Sequence, residues 1–129
     1  GDIMSKRIYS DILADLSKPV PRRLLKSKKM GGANIVFIPW YRVSKLMSHY
    51  TNGHWSYEVK EKLLTSSNIL MTVTVTIYAE DGSFSMDGTG IESLNAKGYG
   101  DPQSNAESMA FRRACAKFGL GLDLYEGDL

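Results

Sequence analysis

Residues 69–78 constrain the fold of this chain more tightly than any other stretch. Ile69, Met71, Val73, Val75 and Ile77 recur at every second position, and Thr72, Thr74 and Thr76 fill most of the places between. A period of two belongs to an extended strand, whose side chains point alternately to opposite faces. One face is therefore core and the other is a ladder of threonines. An isolated strand or hairpin buries too little to be stable, so this segment demands neighbouring strands and a covering layer.

The flanking sequence supplies them. Asp81–Gly82 is a hairpin signal, and Ser83–Gly90 reads as the returning strand. Upstream, Trp55, Tyr57 and Val59 alternate with Ser56, Glu58 and Lys60, the pattern of a half-buried strand. Ile8, Ile12, Leu13 and Leu16 have helical spacing within 5–17, and Pro19 ends that pattern. This first helix can pack on its own domain or on a neighbouring subunit; its spacing suits both. Pro19 and Pro21 stiffen an irregular stretch through Arg22–Lys29, and Gly31–Gly32 turns the chain. Asn34–Pro39 then reads as a short buried strand. Pro39 opens a second helix, Trp40–Tyr50, with Val43, Leu46, Met47 and Tyr50 on one stripe and a glycine cap at Thr51–Asn52–Gly53. A loop over Asn95–Gln103 leads to a last helix, Ser104–Gly119. The expected class is α+β: a three-stranded antiparallel sheet with a short N-terminal strand and flanking helices. Its core order is α-β-β-β-α, like that of a double-stranded-RNA-binding (dsRBD-like) module. A single domain is expected over 4–129, with Gly1–Asp2–Ile3 a cloning remnant ahead of Met4.

The last helix is expected to start at a Ser104 or Asn105 cap, to carry Glu107 in its first turn and to stop at Gly119. Phe111, Ala114, Cys115 and Phe118 fall on one side. Arg113 and Lys117 share another side with Ala106 and Ala110, and Arg112 lies further round. A cationic face floored with alanine would let a phosphate backbone approach closely. A second basic cluster lies far away in sequence. Lys18, Arg22, Arg23, Lys26, Lys28 and Lys29 occupy twelve residues without an acid. The net charge is only +2, so clustering, more than the total, argues for an anionic partner. If the fold joins the two clusters, they line one groove. Solvated charged faces are the plain alternative for each. Tyr99, between Gly98 and Gly100, is the aromatic best placed to stack on a base; Phe37, Trp40, Trp55 and Tyr57 fall at apolar periodic positions that suit a core.

Catalytic signals are scarce. His49 and His54 have no cysteine or acid at metal-ligand spacing, and the chain lacks a phosphate-binding P-loop, a Gly-x-Ser-x-Gly elbow and a dinucleotide fingerprint. Glu58-Val59-Lys60 has the shape used by Mg²⁺-dependent nucleases, but Asp11 and Asp15, the upstream candidates for the metal cage, lie on the first helix. The single cysteine, Cys115, excludes an intrachain disulfide, suits a reducing compartment and reads as a small buried hydrophobe. No apolar run approaches the ~20 residues that span a bilayer, and no signal peptide is visible, so an intracellular setting without a membrane partner is expected.

Several blocks together resemble the annealing domain of the Rad-fifty-two family. They are Lys28-Lys29-Met30-Gly31-Gly32, Tyr41-Arg42-Val43, Gly53-His54-Trp55-Ser56, Asp81-Gly82-Ser83-Phe84 and Gly88-Thr89-Gly90. The closing block Ala106–Ala114, with Phe118-Gly119-Leu120-Gly121 and Leu124-Tyr125, is similar to that family's terminal basic helix. The resemblance runs from about Lys18 to Tyr125. It implies a ring-forming recombination mediator that binds single-stranded DNA and anneals complementary strands without a nucleotide cofactor or metal. It places Lys29, Arg112 and Arg113 on a groove floor, with backbone inward and bases exposed. The family's cation before Met-(Ala/Gly)-Gly is typically arginine; Lys29 keeps the charge and loses the fork geometry. Another family cation aligns with Ala116, with Lys117 one place on. Lys97 matches a region tied to a second DNA site, one that takes double-stranded DNA. A recombinase or single-strand-binding protein is an implied partner without a residue signal here. The implied setting is a DNA-containing compartment: cytoplasm or nucleoid, nucleus or organelle. With Lys28 and Lys117 added from the charge pattern, the expected DNA contacts are Lys28, Lys29, Lys97, Arg112, Arg113 and Lys117. The rival readings are a double-stranded-RNA-binding module, a Mg²⁺-dependent nuclease centred on Glu58 and Lys60, and a purely structural oligomer.

Overall fold

The computed structural model describes residues 5–95 and 101–126, the side chains of Met30 and Glu126 apart. Helix α1 (Tyr9–Leu16) is followed by a 3₁₀ turn at Arg22–Leu24 and a two-stranded ribbon, β1 (Lys26–Met30) and β2 (Ala33–Phe37). Helix α2 (Trp40–Tyr50) leads into a three-stranded antiparallel sheet, β3 (Trp55–Leu64), β4 (Asn68–Ala79) and β5 (Gly82–Ser93), with β4 central. Helix α3 (Pro102–Lys117) lies across β5 and β4, and a short α4 (Asp123–Glu126) ends the described chain. The α+β class and the antiparallel sheet expected from the sequence are present.

Strand β4 carries the core as its periodicity requires. Ile69, Met71, Val73, Val75, Ile77 and Ala79 are all buried, Val73, Val75 and Ile77 completely. On the opposite face the threonines pair across to β5. Thr74 donates to Asp87 at 2.6 Å, and Thr76 and Thr72 meet Ser85 and Thr89 at 2.8 and 3.4 Å. Such cross-strand partners fix the register, since a slip by one residue would turn the apolar set outward.

Helix α3 sits unusually close to the sheet. Gly88 and Gly90 lie opposite Val73 and Met71 in register, on the helix-facing side. A Cβ at Gly88 would strike the Ala110 carbonyl and the Ala114 amide, and one at Gly90 would strike the Ala106 carbonyl. Ala106, Ala110 and Ala114 are fully buried. The alanine stripe therefore does admit a close backbone, but it is the backbone of β5. Phe111, Cys115 and Phe118 complete the core face, and burial pushes the Cys115 thiol far up, which leaves it protonated and inert.

Helix α1 packs on its own domain. Ile12 and Leu16 are fully buried, and Tyr9 stacks on Phe84 with ring centroids 3.6 Å apart. Arg7 ties it to α2, donating to the Tyr50 carbonyl at 2.8 Å and pairing with Asp15 at 2.7 Å.

Four expectations are corrected. Residues 26–30 form a strand, not irregular chain, because Gly31 and Gly32, both at positive φ, close a tight turn that zips it to β2. Strand β2 is not buried: Ile35 and Val36 are exposed, and burial begins only at Ile38. Strand β3 is an edge with its side chains largely exposed instead of half-buried. Helix α3 begins two residues early, with Asp101 as its cap accepting from the Ser104 amide at 2.8 Å and Pro102 in the first turn.

Candidate nucleic-acid interface

The ribbon and α3 approach each other over a cleft of about 330 Å³. Lys28, Ile35 and Phe37 line it from the ribbon, Val43 from α2, and Met109, Arg112 and Arg113 from α3; Leu120, Leu124 and Tyr125 close its far end. Two cations gather at one ring there. The Lys28 ammonium is 5.0 Å from the Phe37 centroid and the Arg112 guanidinium 5.4 Å. Both distances fall within the range of cation–π attraction. The two basic segments, separated by more than eighty positions in the sequence, therefore converge.

Arg112 is the least solvated of these cations. Burial pulls its guanidinium below the ordinary arginine value, and the like charge of Arg113 acts in the same direction against an opposing effect of Tyr125. Its Nε donates to the Ser108 carbonyl at 3.3 Å. The ion pairs among the described residues are Arg7–Asp15, Lys18–Asp15 and Lys60–Asp87, so none of the cleft cations is neutralised within that set. A desolvated guanidinium without a carboxylate gains most from an incoming anion, above all one it can grip with two N–H groups.

Arg113 has a split position. It lines the cleft, yet its Nη1 donates to the Thr89 carbonyl on the outer edge of β5 at 2.9 Å. In doing so it occupies one acceptor of an otherwise open strand edge.

Two comparisons with known proteins bear on this arrangement. DNA repair RAD52-like protein 1, mitochondrial, of Arabidopsis thaliana is 40% identical over 124 residues, which cover 95% of this chain and 70% of that protein. The chain belongs to the RAD52-like family. DNA repair RAD52-like protein 2, chloroplastic, of the same plant is 37% identical over 119 residues, covering 89% of this chain and 59% of the relative. Both relatives are DNA repair proteins of DNA-containing organelles. No family model matches the chain.

For a RAD52-like chain, the carried-over positions fall out unevenly. Lys28, Arg112 and Arg113 share the cleft. Lys29 does not: one residue along the strand, it faces the other side of the ribbon and is exposed there. Of the two neighbouring lysines, the one lining the cleft is Lys28. Lys117 is exposed and lies outside the cleft; its charge is felt by Asp87, on the open face of the sheet. Ala116, one turn beyond Arg112, is buried. Lys97 and Tyr99 lie outside the described residues. Lys18 is tied to Asp15 at 2.8 Å.

Lys60, the nuclease-like lysine, pairs with Asp87 at 2.8 Å across the threonine face. That carboxyl is held below its ordinary value first by the hydrogen bond from Lys60 and then by that from Thr74. No group of three or more His, Cys, Asp or Glu that could hold a metal occurs among the described residues, nor is any helix there long and apolar enough to cross a membrane. Sequence reading counted Lys26 in the basic cluster without singling it out and gave Arg42 no site role; the two flank Tyr41 at the mouth of α2. The Tyr41-Arg42 pair and the strand alternation of Lys26 with Lys28 were the available signals.

Proposed function

We propose that this chain binds single-stranded DNA and anneals complementary strands in DNA repair and recombination, and that it does so as a ring of identical subunits. The observation that carries the reading is the convergence of Lys28, Arg112 and Arg113 on one cleft, with Arg112 desolvated and no carboxylate paired to any of them among the described residues. Cations on a surface repeated from subunit to subunit hold a strand by its phosphates and leave the bases free to pair. Annealing of this kind needs no nucleophile, proton transfer, metal or nucleotide cofactor. A recombinase or single-strand-binding protein as partner, double-stranded DNA at a second site and a DNA-containing compartment follow from the same reading. The RAD52-like relatives support it as DNA repair proteins.

A helix on a three-stranded antiparallel sheet can also serve double-stranded RNA recognition, so the test includes duplex RNA as competitor. Complementary oligonucleotides should anneal faster with the protein than without it, in an assembly whose mass is many times 14.3 kDa. Arg112→Ala with Arg113→Ala should weaken binding on all single-stranded sequences alike and reduce the salt slope by about 1–2. A clean monomer, preferred binding of duplex RNA, or an unchanged slope would each overturn the corresponding part.

A further inference from the structure

The first turn of α2 exposes two large aromatic rings side by side. Trp40 is 54% and Tyr41 40% exposed, and their centroids lie 6.0 Å apart, nearly perpendicular at 82°. Two cations frame them: the Lys26 ammonium and the Arg42 guanidinium each stand 5.7 Å from the Tyr41 centroid. Neither has a carboxylate partner among the described residues. The Tyr41 phenol is drawn below its ordinary value first by the hydrogen bond with Lys26, then by the charges of Lys26 and Arg42. Lys26 sits two residues before Lys28, so the two lysines share one face of β1 and Lys26 links the Tyr41 ring to the cleft, while Trp40 lines a neighbouring cavity with Tyr57, Glu107 and Phe111.

We infer that Trp40 and Tyr41 form a base-stacking platform beside the cleft, with Lys26 and Arg42 holding the adjoining phosphates of a single strand. The inference rests on the reading that the cleft takes single-stranded DNA. Its physical argument is one of spacing. Alternate residues of a strand are about 6.6 Å apart. That is roughly twice the ~3.4 Å rise per nucleotide of a stacked DNA strand. The Lys26–Lys28 row therefore matches every second phosphate of a stacked strand without stretching it. Exposed ring faces beyond the row can cap the end of such a stack whatever the sequence, because every base has a π-face. With no carboxylate paired to either cation among the described residues, the rings are framed by positive charge, which a phosphate chain complements.

The test uses two strands of equal length and charge, oligo(dT) and its abasic counterpart. In protein carrying Trp55→Phe, Trp40 is the remaining tryptophan and reports on stacking. Oligo(dT) should bind roughly tenfold more tightly than the abasic strand and should quench Trp40 fluorescence, which the abasic strand should not. Trp40→Ala with Tyr41→Ala should erase that preference and leave the salt slope unchanged. Lys26→Ala with Arg42→Ala should weaken both strands and reduce the slope by about 1–2. Trp40→Leu with Tyr41→Leu, which keeps apolar bulk but removes the ring faces, should behave as the alanine pair does if that pair misfolds. If the preference for bases survives either aromatic pair while Lys28 and Arg112 still govern binding, the platform is wrong and the annealing reading stands. If the aromatic pair alters only the mass of the assembly, the rings are a subunit contact and the platform is equally wrong. Failure to bind any single strand at low salt would sink both.

Discussion

Strands β2 and β4 both carry β-branched apolar residues, yet these meet opposite fates. Strand β4 has a strand on either side and α3 above it, and its alternate residues are buried to the last few per cent. Strand β2 has one partner, β1, and exposes Ile35 and Val36 at 39% and 47%. The difference lies less in the residues than in what covers them. Closing the sheet under α3 concentrates stability there, and leaving the ribbon open keeps its lysines available. Stability and ligand contact are thus assigned to different strands, with α3 serving both: its alanines pack on β5 while Arg112 looks into the cleft.

That division can be broken at its strongest point. Gly88→Val would force a branched side chain into the Ala110 and Ala114 backbone, and it should destabilise by about 3 kcal/mol or more in urea titration. Val36→Thr, on the exposed ribbon, should change stability by no more than about 0.5 kcal/mol. Equal effects at the two sites would erase the contrast.

A gentler probe tests how the N-terminal arm is fastened beside this core. The Asp15 carboxyl is held below its ordinary value first by its hydrogen bond from Lys18 and then by that from Arg7. A carboxyl lowered in the folded state contributes stability above its unfolded value, and the contribution is lost as pH falls through the folded one. Asp15→Asn should therefore cost about 1 kcal/mol or less at pH 7. The gap to the parent protein should narrow as pH drops below about 3.9. A gap that stays constant into acid would show that charge is not what Asp15 contributes.

Much of the sheet and of α2 was legible because their signals are redundant. The alternation over 69–78 and the Asp81–Gly82 turn both specify the β4–β5 hairpin, and Pro39, an apolar stripe and Gly53 all bound the same helix. The ribbon was hidden because Lys26, Lys28 and Lys29 mask any apolar alternation in β1, although Gly31–Gly32 between two runs is a hairpin signal in its own right. Missing that strand had a consequence at the site. Without the alternation of β1, nothing distinguishes Lys28 from Lys29; both were expected to contact DNA, and of the two only Lys28 lines the cleft. The alanine stripe of α3 was misread for a related reason. A close-packing face is visible in sequence, but its partner is not, and Gly88 and Gly90 are remote from it along the chain.

The central claim is that β1 alternation puts Lys28, and not Lys29, opposite Arg112. The most direct measurement compares the salt dependence of single-stranded DNA binding for Lys28→Ala and Lys29→Ala. Lys28→Ala should lower affinity several-fold and reduce the slope by about 0.7–1, and Lys29→Ala should leave the slope within error of the parent protein. A slope reduction of about 0.7–1 at Lys29 with none at Lys28 would contradict the cleft as described.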